Sequence, residues 1–155
     1  MREIKFRGQK TITKEWVFGS VFSVADEDYT SIITNLVTLD FEDNGTNYHG
    51  FQVNSETVGQ YTGLKDKNGV EIYEGDIVRI LYTDWSSKPE SDPKSLHDYL
   101  NDIASVAKVV FENNSWMVSI YGKKFNEWYL NDIMPGKHGF IEVIGNIHSN
   151  PELLK

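Results

Sequence analysis

The sequence predicts a mainly β protein, either a small β-barrel (an SH3-like barrel is one form) or paired antiparallel sheets, with one inserted amphipathic helix. Three observations predict it. Short runs rich in β-branched and aromatic residues recur along the chain. Turns containing Gly and Asn separate them. One stretch alone, after Asp92-Pro93, places apolar residues at helical spacing. The chain has 155 residues, enough for one domain to bury its own core. A single β domain over 1–155 is expected, with a polar connector and the helix inserted at about 83–105.

The elements follow in order. Ile4 and Phe6 alternate with Glu3, Lys5 and Arg7, which predicts a first strand with one apolar face. Gly8-Gln9-Lys10 reads as a turn, and Trp16 to Val24 as a second strand. Ala25 to Asp28 is an acidic loop. Tyr29 to Phe41 has the threonine and β-branched density of a strand, although Ile32, Ile33 and Leu36 also fit a helix. Glu42 to Gly45 is a turn ending in Asn-Gly, and Tyr48 to Val53 a short strand. Val58 to Leu64 is extended. Asp66-Lys67-Asn68-Gly69 is a hairpin turn, since Asn and Gly tolerate positive φ. Val70 to Tyr73 alternates cleanly, Glu74-Gly75 breaks the run, and Asp76 to Tyr82 is a central strand.

Residues 83–94 change to a Pro/Ser-rich polar connector. Asp92 before Pro93 is a helix start, with an N-cap acceptor followed by proline at the first helical position. Leu96, Tyr99, Leu100, Ile103 and Ala107 then share one face, predicting a helix over about 93–104. The strand pattern returns at Lys108–Phe111 and Trp116–Tyr121, joined by a four-residue loop, Glu112–Ser115. Phe125 to Met134 reads as a short helical turn ended by Pro135-Gly136. Phe140 to Ile147 is the last strand, and Glu152 to Leu154 a short terminal piece.

Composition narrows the function classes. No cysteine is present, which removes disulfides, thiolate metal sites and cysteine nucleophiles and agrees with a reducing cytoplasm. Fifteen Lys and Arg against 23 Asp and Glu give a net charge of −8. That disfavours duplex DNA and anionic membranes, both of which select basic surfaces. No apolar run is long enough to cross a bilayer as a helix. A cytoplasmic protein with no membrane partner is expected.

No phosphate loop, nucleophile elbow, zinc-binding His-Glu motif or EF-hand loop occurs. The histidines, at 49, 97, 138 and 148, are dispersed without ligand spacing. The acids Asp66, Glu74 and Asp76 form the one chemical constellation. If 74–76 is extended, Glu74 and Asp76 share a face about 7 Å apart. They could then hold a hard divalent cation or act as acid and base. The plainer reading is favoured: Asp66 caps the turn through an Asx-type hydrogen bond, and Glu74 and Asp76 satisfy backbone N–H groups around Gly75. An exposed subset of the aromatics could stack on nucleobases or serve a protein partner. The acidic helix face, with Asp98 and Asp102, could oppose a basic site on another protein.

Three blocks carry a family resemblance. The first is Ile4-Lys5-Phe6-Arg7-Gly8 followed by Trp16-Val17-Phe18-Gly19. The second runs unbroken from Glu56 to Val78, and the third joins Ile141–Ile147 to Asn150–Leu154. In this order and over nearly the whole chain they resemble the YopX family of small phage and prophage proteins. The resemblance implies a β-rich protein made in a bacterial host, with no established activity, catalytic residue, cofactor or metal to carry over. It implies a family signature at Thr57, Gly59, Gln60, Tyr61, Thr62, Gly63, Asp66, Asn68, Gly69, Glu74, Gly75 and Asp76, read here as structural. The expected role is a non-enzymatic binding or self-assembling accessory module, with a second copy or a host or phage protein as partner. The rival roles are a metal-assisted hydrolase using a polar pocket near Asp66, Glu74 and Asp76, a single-stranded nucleic-acid binder, and an acidic inhibitor of a host protein.

Overall fold

The structure, a computed structural model, describes residues 3–22, 32–39, 46–82, 105–120, 127–130 and 139–155. It divides into two compact units, Met1–Gly63 and Leu64–Lys155.

The first unit holds β1 (Phe6–Gln9), β2 (Trp16–Phe22), β3 (Ile32–Leu39), β4 (Thr46–Gln52), a 3-10 turn at Ser55–Thr57 and the start of β5 (Gly59–Lys65). The strand order is β4-β3-β2-β1-β5. β1 and β2 form a hairpin in which Arg7 faces Phe18 and Gln9 faces Trp16. The other edge of β1 takes β5, with Phe6 opposite Gln60 and Arg7 opposite Gly59. Alternation therefore sends Val17 inward. It joins buried Val53, with Phe6, Val21 and Val58 packed against them. The first strand begins at Phe6 rather than Ile4, and Ile4 is exposed. Arg7, on the strand face opposite Phe6, is buried, with its guanidinium 4.9 Å from the Trp16 ring centre.

The second unit contains the end of β5, then β6 (Glu71–Tyr73), β7 (Asp76–Tyr82), β8 (Ser105–Glu112), β9 (Ser115–Ile120), β10 (Glu127–Tyr129), β11 (Gly139–Asn146) and a 3-10 turn at Pro151–Leu154. β6 lies beside β5, and an antiparallel sheet runs in the order β10-β9-β8-β7-β11. Register decides its core. Val78 faces Ala107, Ile80 faces Ile141, and Val109 faces Val118. These side chains share one face and pack with Ile72 and Leu130. Each large aliphatic buried this way contributes about 1.5–3 kcal/mol.

The protein is thus mainly β, with two antiparallel sheets. Among the described residues neither strand order closes on itself, and they lend the barrel and its SH3-like form no support. The connector from 83 and the helix over 93–104 lie outside the described residues. Ala107, the last position of that helical spacing, belongs to β8 and is buried.

Four local readings change. Gly8 and Gln9, read as part of a turn, belong to β1 and pair with Val17 and Trp16, so the reversal falls beyond Lys10. Glu127–Tyr129, within the expected helical turn at Phe125–Met134, is a strand paired with β9, Trp128 opposite Val118. Its aromatic residues favour a strand once a partner edge is available. The β8–β9 connection is tighter than four residues. Glu112 still pairs with Ser115, and only Asn113 and Asn114 turn, with φ of 49° and 61°. At the β5–β6 turn positive φ falls on Gly69 (82°) and not on Asn68.

Candidate functional site

Two of the three signature acids, Asp66 and Asp76, are hydrogen-bonded into turns of the second unit. Asp66 ends β5 at the reversal into β6. Its Oδ1 accepts from the Asn68 N–H at 2.7 Å and the Val70 N–H at 2.9 Å. Its Oδ2 accepts from the Val143 N–H of β11 at 3.0 Å. The first two bonds are the expected Asx-type cap. The third ties the turn to a strand 77 residues away. The backbone reinforces the link, since Lys67 N–H donates to Ile141 C=O at 3.0 Å. Lys67 Nζ also lies 3.1 Å from Glu142 Oε2. Burial pushes the Asp66 carboxyl up. The N–H groups of Val143, Val70 and Asn68, with the charge of Lys67, outweigh it and hold the carboxyl below its ordinary value.

The second turn repeats the device. Asp76 opens β7 and is 1% exposed, and its Oδ2 accepts from the Tyr73 N–H at 2.8 Å. The carboxylate therefore folds back across Glu74-Gly75. Gly75 has φ of 79°. Its N–H donates to Val109 C=O and its C=O accepts from Ile147 N–H, both at 2.9 Å. Turn, β8 and the end of β11 are stitched together at this one residue. Glu74 is part of the turn, while the N–H of Gly75 goes to a carbonyl rather than to the Glu74 or Asp76 carboxylate.

The earlier signature residues serve the first unit. Thr57, buried, accepts from the Gln9 N–H at 2.9 Å and donates to Asn54 C=O at 2.6 Å through the same hydroxyl. Gly59 and Gln60 pair with β1, and Tyr61 N–H donates to Lys5 C=O at 2.8 Å. Tyr61 and Thr62 are buried, and Gly63 has φ of 86°. The first sequence block and the start of the second are therefore adjacent strands. The rest of the second and the third interlock through Asp66 and Gly75.

An ionised carboxylate is an acceptor only. With both oxygens of Asp66 taken by backbone donors, the group holds a turn in place. Among the described residues, no three His, Cys, Asp or Glu side chains group as a metal-binding set. His97 and His138 lie outside the described residues. His148 N–H donates to Asn146 Oδ1 at 3.0 Å in the turn after β11. Sequence reasoning missed Val143, Val109 and Ile147 as the signature's partners. The co-occurrence of the second and third blocks was the available signal. A backbone N–H has no residue-type mark of its own.

Exposed apolar side chains include Phe18, Phe51, Phe111, Tyr129 and Phe140. Three cations of the first unit lie over aromatic rings: Lys5 on Phe18 at 5.7 Å, Arg7 on Trp16, and Lys10 on Phe51 at 4.2 Å. Lys10 also pairs with Glu15 at 2.8 Å.

Comparisons with known proteins agree with this geometry. The crystal structure of protein EF1440 from Enterococcus faecalis is similar over 100% of both chains, at 26% identity and a TM-score of 0.55. No curated protein matches. The sequence profile of the family described as YopX protein matches residues 5–155. That span takes in the three sequence blocks except Ile4, so the chain belongs to the YopX protein family.

Proposed function

We propose that this protein acts by binding or self-assembly, as a phage or prophage accessory module in the host cytoplasm, and not by transforming a small molecule. One observation carries the reading: two of the three acids that a hydrolytic pocket would need, Asp66 and Asp76, accept backbone hydrogen bonds that hold turns. Asp66 is tied to three backbone N–H groups and Asp76 to one. Exposed aromatic side chains, which contribute large contact area at low entropic cost, supply the means of binding.

The acids test the reading first. Asp76→Asn should destabilise the fold, read as a lowered unfolding midpoint. Loss of a turnover with an unchanged midpoint would instead establish the metal-assisted hydrolase. Sedimentation velocity over a wide concentration range tests self-assembly, with a concentration-dependent rise in mass expected. A strict monomer at every concentration would overturn self-assembly.

A further inference from the structure

We propose that Asn68, in the turn between β5 and β6, is a site of spontaneous deamidation whose rate is set by the Asp66 turn around it. The inference goes beyond the binding reading and does not depend on it. The sequence supplies the first observation. Asparagine is among the chemically labile side chains, and Asn68 is followed by Gly69. Glycine has no Cβ, so the backbone nitrogen at 69 is unscreened by a side chain. The surroundings agree. Space for a Cβ on Gly69 is open to 4 Å, and Asn68 and Gly69 are both exposed, so water reaches them.

The reaction needs water and nothing else. The Gly69 nitrogen attacks Cγ of Asn68. A nitrogen–carbon bond forms, the bond from Cγ to Nδ2 breaks, and ammonia leaves with the Gly69 proton. Water then opens the cyclic succinimide at either of its carbonyls. One opening gives aspartate at 68. The other gives isoaspartate, in which the main chain runs through the former side chain and is one backbone atom longer.

The second observation is what holds this reaction back. Attack requires the Gly69 nitrogen to shed its proton, but that N–H donates to Asp66 C=O at 3.0 Å. The N–H groups on either side, of Asn68 and Val70, donate to Asp66 Oδ1 at 2.7 and 2.9 Å. Nucleophile and target are therefore fixed in the geometry of the closed turn. An anionic nitrogen at Gly69 would also form beside the Asp66 carboxylate, a juxtaposition of like charges. The neighbouring cation, Lys67, is drawn to Glu142, 3.1 Å away. Reaction thus waits on local opening of the turn. Isoaspartate then makes the opening permanent, because the lengthened loop no longer spaces the Asn68 and Val70 N–H groups for one carboxylate oxygen. The link from Asp66 Oδ2 to Val143 of β11 weakens with it.

The test is peptide mapping by mass spectrometry of the full chain after timed incubation at mildly alkaline pH, which favours loss of the amide proton. Trypsin cuts after Arg79 and after Lys65 or Lys67, so the peptides that end at Arg79 report the site. In concentrated urea Asn68 should convert to a mixture of aspartate and isoaspartate. In the folded chain conversion should be about tenfold to a hundredfold slower, the factor that hydrogen bonds to a charged acceptor supply. Asp66→Ala should restore most of the urea rate while its unfolding midpoint shows that the chain still folds. Should that variant not fold, the wild-type rate in urea below the unfolding transition decides. Opening one turn exposes little surface, so that rate should stay nearly flat. Purified isoaspartate chains should melt below Asn68→Asp, which has the same charge on an ordinary backbone. No conversion at Asn68 in urea would overturn the site. Equal rates in the folded and unfolded chain would overturn its control by the turn. So would a folded Asp66→Ala that keeps the wild-type rate, or a wild-type rate that climbs with urea in step with global unfolding.

Discussion

Asp66 makes two bonds within its turn and one across to β11. Asp66→Asn keeps the size but replaces one acceptor oxygen by an N–H donor. Whichever way the amide lies, at least one backbone N–H faces a donor. A stability loss of about 2–3 kcal/mol is expected, measurable by chemical denaturation. The pH dependence follows from the lowered carboxyl. Unfolded Asp titrates at about 3.9, so the contribution of Asp66 is complete above that value. It disappears as pH falls through the lower folded value. Denaturation midpoints collected from neutral to acid pH should decline for the wild type in that window, and Asp66→Asn should remove part of the decline. The Asx cap was legible in the sequence because Asp two residues before Asn-Gly has a local geometric meaning. The bond to Val143 was not, because it depends on where a strand 77 residues away comes to rest.

At the scale of elements, turns set the registers. Gly69 and Gly75 both have positive φ, yet they differ in surroundings. A Cβ on Gly69 would meet nothing within 4 Å, whereas one on Gly75 would sit 3.4 Å from Ile147 Cδ1. Contact at 3.4 Å is ordinary van der Waals distance, so Gly69→Ala and Gly75→Ala should each cost only the conformational term, about 1–2 kcal/mol, as thermal melts of the two variants would reveal. Gly69→Val should cost more than Gly69→Ala, because β-branching tolerates positive φ worst. The β8–β9 hairpin makes the opposite prediction. Asn113 and Asn114 both hold positive φ, the condition of a type I′ turn, which prefers Asn-Gly. Asn114→Gly should leave stability unchanged or raise it by up to about 1 kcal/mol, with the melting temperature as the readout. Composition alone suggested a looser loop here. Pairing of Glu112 with Ser115 tightened it, because a continued ladder satisfies two more residues' backbone groups.

For the whole molecule, charge is the property that sequence fixes most directly. A net charge of −8 and a sequence pI of about 4.9 favour solubility at neutral pH through a repulsion that self-assembly must outweigh. Solubility should pass through a minimum as pH approaches 4.9, which turbidity at fixed protein concentration would detect. A minimum displaced far from that value would mean that bound counterions or assembly govern the surface charge. The two units have separate clusters, Val17 with Val53 in one and the Ile72–Ile141 set in the other. Among the described residues the second is the larger core. Ile80→Ala, at a fully buried site within it, should cost about 2–5 kcal/mol.

Period-two alternation and turn chemistry were enough, by themselves, to place most of the described strands, since both are local consequences of backbone geometry. They also pointed to the mid-chain signature as a folding device, with the glycine turns and the Asp66 cap in their right places. Tertiary structure decided the rest. Glu127–Tyr129 became a strand because β9 offered an edge to pair with. Strand order distinguished open sheets from a closed ring among the described residues. The partners of Asp66 and Gly75 were decided the same way, because peptide N–H and C=O groups are chemically alike at every position and only the folded chain determines which of them meet.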